Sequence, residues 1–404
     1  MEKVSKTVTD NASNFAKSFK EFGLQNVLVE PINEEESGEF IETQVDEDDE
    51  IEFEQQMNEV FIAKPHELPL QERCKAHTTS LIATVDLDKA EWKGEHNRLL
   101  KRAMGKATAL WNSCNYPSRA EIMMKTFKKC LVTPVVTRWN SKYDSLECLL
   151  GFSIDDLNKV LKELNLTGNP QFTEAEIELL KEYCMVLKPL AIAIDTFQGE
   201  RNCYYGSVIP CIKKMEKELR KHLDSNLKYC KPLVKAALDG IEKRYGDFLE
   251  QNDSVFDALM ASASHPRFKM KHISTEKQEY IKQALISEAE KVSQALSNED
   301  RPLQDDRDEF DSSDEEMETE NSSIATNQTK IEVLRFLDDA DKNLDCLQRY
   351  PVMKEVFIKF NTTLPSSAPV ERLFSFGSVI LQGRRTRLTD KNFEMLTLLK
   401  ANKF

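Results

Sequence analysis

Through most of the middle of this chain, apolar residues recur every three or four positions. LNKVLKEL, EIELLKEYCMVLKPLAIAI, CIKKMEKELRKHL and LVKAALDGIEKRYGDFL each carry an apolar stripe with charges opposite, the mark of helices that bury one face. From Pro69 to about Leu296 this period predicts an all-α segment of about eight to ten helices at typical helix lengths. Residues 1–9 alternate instead, and Val4, Thr7, Val8 and Thr9 are β-branched, so a short strand is expected, ending at Asp10. NASNFAKSFKEFG follows, with Phe15, Phe19 and Phe22 on one helical face and Gly23 as a C-cap. Strand, acidic residue and helix together make an α/β unit.

Dense apolar content returns in PSSAPVERLFSFGSVILQGRRTRLTDKNFEMLTLLKANKF, residues Pro365 to Phe404. Ser367 is placed to cap a helix that carries Pro369 in its first turn. Val370, Leu373, Phe374 and Gly377 fall on one face, and Glu371, Ser375 and Ser378 on the other. A second helix is expected after Thr389, burying Phe393, Leu396 and Leu399. Two amphipathic helices around a basic turn suit packing or dimerisation.

Charge changes the picture. The formal net charge is −14 over 404 residues, which argues against a nucleic-acid partner until its distribution is read. Asn33 to Gln56 holds 12 acidic residues and no Lys or Arg, and Asn298 to Asn321 holds 12 against Arg301 and Arg307. These segments carry −12 and −10, leaving −14 + 22 = +8 for the rest. Both are too acidic to fold alone and are expected as disordered loops, while the remainder can meet a polyanion. Ser312 and Ser313 in DSSDEE fit an acidic-directed kinase site, or simply a solvated linker. No apolar run approaches the roughly 20 residues of a membrane span, and MEKVSKTVTD lacks a signal-peptide core. The nine cysteines form no C-x-x-C pair, which suits free thiols in a reducing compartment.

PSSAPVERLFSFGSVILQGRRTRLTDKNFEMLTLL resembles the C-terminal dimerisation region of hAT-family DNA transposases. VTDNASNFAKSF is similar to that family's segment carrying the second catalytic Asp, RCKAHTTSLI to its C-x-x-H motif, and TPVVTRWNSKYDSL to its R-W motif. SASHPRFKMK resembles a further stretch inside the family's helical insertion, so five motifs stand in the family's order. The resemblance implies a mainly α chain with an α+β remnant: a truncated RNase H-like core interrupted by a large all-helical insertion. The expected division is a core remnant at 1–90 with a disordered acidic loop at 33–60, and an insertion domain at 91–297. A disordered linker at 298–328 and a dimerisation region at 329–404, completing the core, are expected to follow.

In that family two Asp and one Glu hold divalent metal for strand cleavage and transfer, because two ions roughly 4 Å apart activate the attacking oxygen and stabilise the leaving one. Asp10 matches the second Asp and Glu371 the Glu. Only nine residues precede Asp10, so the strand with the first Asp and the usual zinc-finger module are expected to be missing. The implied protein is transposase-derived and not catalytic; it keeps self-association, with no certain cofactor. The alternatives are a strand-transferring enzyme using Mg or Mn, whose third carboxylate comes from elsewhere (Asp86 is one candidate), or a nuclear DNA-binding factor. The resemblance implies a nuclear location; otherwise a cytoplasmic one fits.

Several residues carry two readings. Asp10 is a strand-end cap or a former metal ligand, and Glu371 a solvated helix charge or the former catalytic Glu. Cys74 and His77 lie one helical turn apart but supply only two of about four zinc ligands. Trp139 stacks on an unpaired base with Arg138 on phosphate, or anchors an insertion helix. Arg384, Arg385 and Arg387, with Lys391, touch DNA or form a solvated turn. Leu373, Phe374, Phe393, Leu396 and Leu399 are the expected dimerisation residues. The Val4–Thr9 strand is expected to have an unpaired edge, and the Asp10 and Glu371 carboxylates to come within metal-bridging reach.

Overall fold

The computed structural model describes residues 6–9, 70–135, 140–165, 171–199, 203–299, 315–381 and 388–402. It is mainly helical. Expectations that fall on Asp10, the helix after it, the acidic loop at 33–60, Arg138, Trp139, Ser312, Ser313, Arg384, Arg385 and Arg387 lie outside the described residues. The chain divides into two compact units that interleave in sequence.

The larger unit holds Thr7–Arg201, Lys214–Arg244 and Pro365–Phe404. Strand β1 (Lys6–Thr9) pairs with β2 (Leu70–Arg73) in a two-stranded sheet. The expected strand therefore has a partner. LQER was read as the start of the helical region because four residues without a clear period carry no strand signal; the pairing is a tertiary choice. Helix α1 (Lys75–Leu81) runs on into a π-helical turn at Ile82–Asp86. Then come α2 (Gly94–Ser113), α3 (Pro117–Phe127), α4 (Ser141–Leu150), α5 (Ile154–Glu163) and α6 (Glu174–Phe197).

Helix α6 is the unit's centre, and α1, α2 and α4 all pack on it. Leu179, Leu180, Val186, Leu190, Ile194 and Phe197 are fully buried along it. Two glutamates are buried with them. Glu176 closes a capping box with Thr173 and takes the Lys106 ammonium at 2.6 Å. Glu182 accepts the backbone N–H groups of Lys228, Tyr229 and Cys230 at 2.7, 2.8 and 2.9 Å. Those three donors lie at and just before the start of α8, which spans Lys231–Glu250 and follows α7 (Val208–Asp224). A carboxylate there satisfies donors that a helix start leaves orphaned and lies at the positive end of its dipole.

The smaller unit holds Met1–Lys6, Asn202–Lys213 and Tyr245–Leu364. Its helices are α9 (Phe256–Ser264), α10 (Thr275–Glu299), α11 (Glu315–Asp338) and α12 (Pro351–Asn361). Gly206 holds it together. A Cβ there would stand 2.4 Å from the Ala261 carbonyl oxygen, so only glycine lets the backbones meet. The Gly206 N–H donates to Asn361 Oδ1 at 2.9 Å, while Asn361 Nδ2 donates to Ala261 O and to Ser264 Oγ, both at 3.1 Å. This buried amide joins positions 206, 261 and 361, which is why the unit cuts across the expected boundaries of the insertion and the C-terminal region.

SASHPRFKMK belongs here, and His265 is buried among Tyr204, Phe268 and Phe357 with ring centroids 4.7–5.6 Å apart. Helix α11 corrects another expectation, since Glu315 to Asp338 is helical where a disordered linker was expected up to 328. Thr329, Val333 and Phe336 are buried one turn apart. Their packing anchors the helix.

Two predictions follow from these buried groups. Glu182→Ala leaves three backbone donors unpaired and is expected to cost about 3 kcal/mol, lowering Tm by roughly 6–12 °C in a thermal melt. Burial, then Arg267, lowers the His265 pKa from 6.5 to about 4, so the folded state binds fewer protons than the unfolded state. His265 therefore costs no stability above pH 6.5. Roughly 3 kcal/mol is lost as the pH falls from 6.5 towards 4. Urea midpoints across that window should fall less steeply in His265→Gln.

Candidate functional site

The C-terminal helices are α13 (Ala368–Ile380) and α14 (Asp390–Ala401). The first of them starts at a joint made by three distant stretches. Cys74 N donates to Thr9 O at 2.9 Å, and Lys75 N donates to Pro365 O at 2.8 Å. Cys74 Sγ donates to Ser366 Oγ at 3.5 Å and accepts the N–H groups of His77 and Ser367, each at 3.4 Å. One dipeptide, Cys74–Lys75, thus links the end of β1 to the start of the helix that carries Glu371. Cys74 is buried and caps α1. Its role, with His77 contributing a backbone N–H, is a hydrogen-bonding hub.

Glu371 sits in the first turn of α13, exposed, and accepts the Ser367 hydroxyl at 2.6 Å. Ser367 occupies the cap position as expected, but Ser366 is the side chain that caps, taking the Ala368 N–H at 3.0 Å. Arg372, one residue further on, points elsewhere and donates through both terminal nitrogens to the Gln198 carbonyl at 3.2 and 3.3 Å, capping the end of α6. Its guanidinium serves the helix end, not Glu371. Of the two assigned carboxylates, Glu371 is placed and Asp10 lies outside the described residues. Among the described residues no group of three or more His, Cys, Asp or Glu is arranged to hold a metal ion.

Asp86 was a candidate for the missing ligand, and its surroundings argue otherwise. Both of its oxygens are taken by Arg244, with Nε at 2.5 Å and Nη2 at 3.2 Å, and Lys89 lies 3.6 Å away. Asp86 is buried and Arg244 half-buried, and Gly240 makes room for them: a Cβ there would stand 2.9 Å from the Asp86 Cβ. Asp86 holds the π-helical turn to α8.

The other feature of this region is an uncovered apolar surface. Gly377 lets α13 and α14 approach, since a Cβ at that position would stand 3.1 Å from the Phe393 ring. Val370, Phe374 and Leu381 continue the Gly377 stripe at i, i+4 and i+11, and they are 50, 71 and 59% exposed. Thr389 caps α14 by accepting the Asn392 N–H. The expected burial within the chain is corrected here: Phe393 is half-buried, but Leu396 and Leu399 are exposed, as is Leu373. Met395 and Leu398, which the sequence reading passed over, are also exposed, at 51 and 52%. With Leu399 they form a second apolar face at i, i+3 and i+4, pointing away from Phe393. Their spacing is visible in FEMLTLLK, but a helix needs only one apolar face to pack, so periodicity alone does not single out a second.

Asp86→Ala is expected to destabilise the larger unit by about 2–4 kcal/mol, because it strands the half-buried Arg244 charge without its partner. Chemical denaturation of the purified chain measures this.

No family model matches this chain, and no curated protein matches it significantly.

Proposed function

We propose that this chain derives from a hAT-type DNA transposase and works by self-association through α13 and α14, without strand-transfer activity. The observation that carries the reading is the apolar exposure of these helices. Of the 22 large apolar side chains exposed among the described residues, nine lie between Val370 and Leu399. A short helix apolar on two faces is ordinarily buried on both, and contiguous exposed apolar surface marks a partner site. Within this chain α14 packs chiefly on α13. A second copy of the same hairpin supplies the complementary apolar face, as isologous dimers do. Phe374, the most exposed of the nine, has the size of an anchor residue.

The resemblance adds the RNase H-like ancestry, with β1, α1 and α13 as the core remnant. The joint at Cys74 supports that reading, since it gathers the three stretches that the family's motifs mark. The reading without catalysis is supported by the state of the candidate carboxylates. Asp10 and Glu371 make two, and Asp86, engaged by Arg244, is a poor third; two carboxylates hold a metal pair badly. A nuclear location belongs to the same reading.

Sedimentation equilibrium of the full chain tests it. The wild type is expected to be dimeric at about 10 μM, and Phe374→Glu or Leu398→Glu to weaken association at least roughly 30-fold, about 2 kcal/mol. A monomeric wild type, or variants that associate as tightly, would sink the proposal.

A further inference from the structure

Nine free cysteines are spread through the chain, and three of them, from separate elements, lie at one corner of the larger unit. Cys114 follows the end of α2, Cys130 follows α3, and Cys148 is on α4. The chain reverses after α3 because Lys128 adopts a left-handed backbone with φ of 57°. That reversal brings Cys130 Sγ to 3.5 Å from Met124 Sδ, one and a half turns back. It also lays the segment against the end of α4. Phe127 and Phe152 stack with centroids 4.2 Å apart, and Lys129 Nζ lies 4.8 Å from the Phe152 centroid. A Cβ on Gly151 would stand 3.3 Å from the Cys148 carbonyl oxygen and 4.0 Å from Lys129 Nζ. Cys130 thus lies beside residues, Phe127 and Lys129, that meet Phe152 one helical turn beyond Cys148.

Their settings differ usefully. Cys130 is exposed and Cys148 half-buried, so an oxidant in solution meets Cys130 first. Burial pushes the Cys114 thiol up, and the neighbouring Cys130 and Cys148 push it further. Cys114 is correspondingly slow to form the thiolate that attacks sulfur.

We propose that Cys130 and Cys148 are a reversible redox pair, closed by peroxide into a disulfide within one chain. Peroxide transfers an oxygen to the Cys130 thiol, giving a sulfenic acid and one water. Cys148 sulfur then attacks that sulfur and expels a second water. Two thiol hydrogens and two electrons have reduced one peroxide to two waters, and a dithiol reductant reopens the bond. A reducing compartment keeps the pair open, and oxidative conditions close it.

The full chain is treated with hydrogen peroxide, its remaining thiols are alkylated, and its intact mass and proteolytic peptides are measured. The expected result is a loss of two hydrogens per chain and a linked Cys130–Cys148 peptide, both reversed by dithiothreitol. Cys130→Ser and Cys148→Ser should each abolish the link, and Cys114→Ser should leave it. A Cys130 that goes to sulfinic acid without linking, or a link to Cys114 or to another chain, overturns the proposal. The readout is independent of self-association, so it stands or falls apart from the dimer.

Discussion

The larger unit depends on one requirement, that backbone N–H groups buried far from water find acceptors. At Cys74–Lys75 two successive amides donate to carbonyls from opposite ends of the sequence, Thr9 and Pro365. The Cys74 thiol adds a donor to Ser366 and an acceptor to Ser367. A strand and a helix hundreds of positions apart are therefore held by the same two residues. Losing the thiol would leave the start of α13 without one of its acceptors, and Arg372 on the Gln198 carbonyl would remain as a further tie to the body of the unit.

Buried charge follows the same economy. Glu176, Glu182 and Asp86 are each withdrawn from water and engaged: Glu176 Oε2 by the Thr173 N–H and Lys106, with Arg102 Nε 3.6 Å from Oε1, Glu182 by three backbone amides, and Asp86 by Arg244. Carboxylates so engaged are scaffold. In contrast, Glu371 is exposed and takes a single hydroxyl within its own helix turn, which leaves an oxygen to spare. The difference between structural acids and one with capacity left rests on satisfied lone pairs and exposure, and charge alone does not make it.

The apolar hairpin completes the picture. Gly377 removes a side chain so that Phe393 can seat, and this fixes how α13 and α14 cross. Once they cross, Phe374 stays on the flank and Met395, Leu398 and Leu399 on the back. Neither face finds cover within the hairpin, which is why the proposed self-association is assigned to it.

Periodicity alone determined the helices, because an amphipathic stripe needs only local spacing, and LNKVLKEL, EIELLKEYCMVLKPLAIAI and the FEMLTLL segment all form them. The caps at Thr389 and Ser153 and the capping box at Thr173 are local too. Tertiary structure decided what long-range packing and pairing control. It set the pairing of LQER with β1, the helix from Glu315 through the acidic stretch, and a division into units fixed by Asn361 reaching Gly206 and Ala261. In the candidate site the sequence supplied Glu371, Cys74 and the apolar spacing. It did not show that Asp86 faces Arg244 across 158 positions, or that Leu396 and Leu399 face outward. Helix spacing says which residues share a face; only the packed neighbours say whether that face is covered.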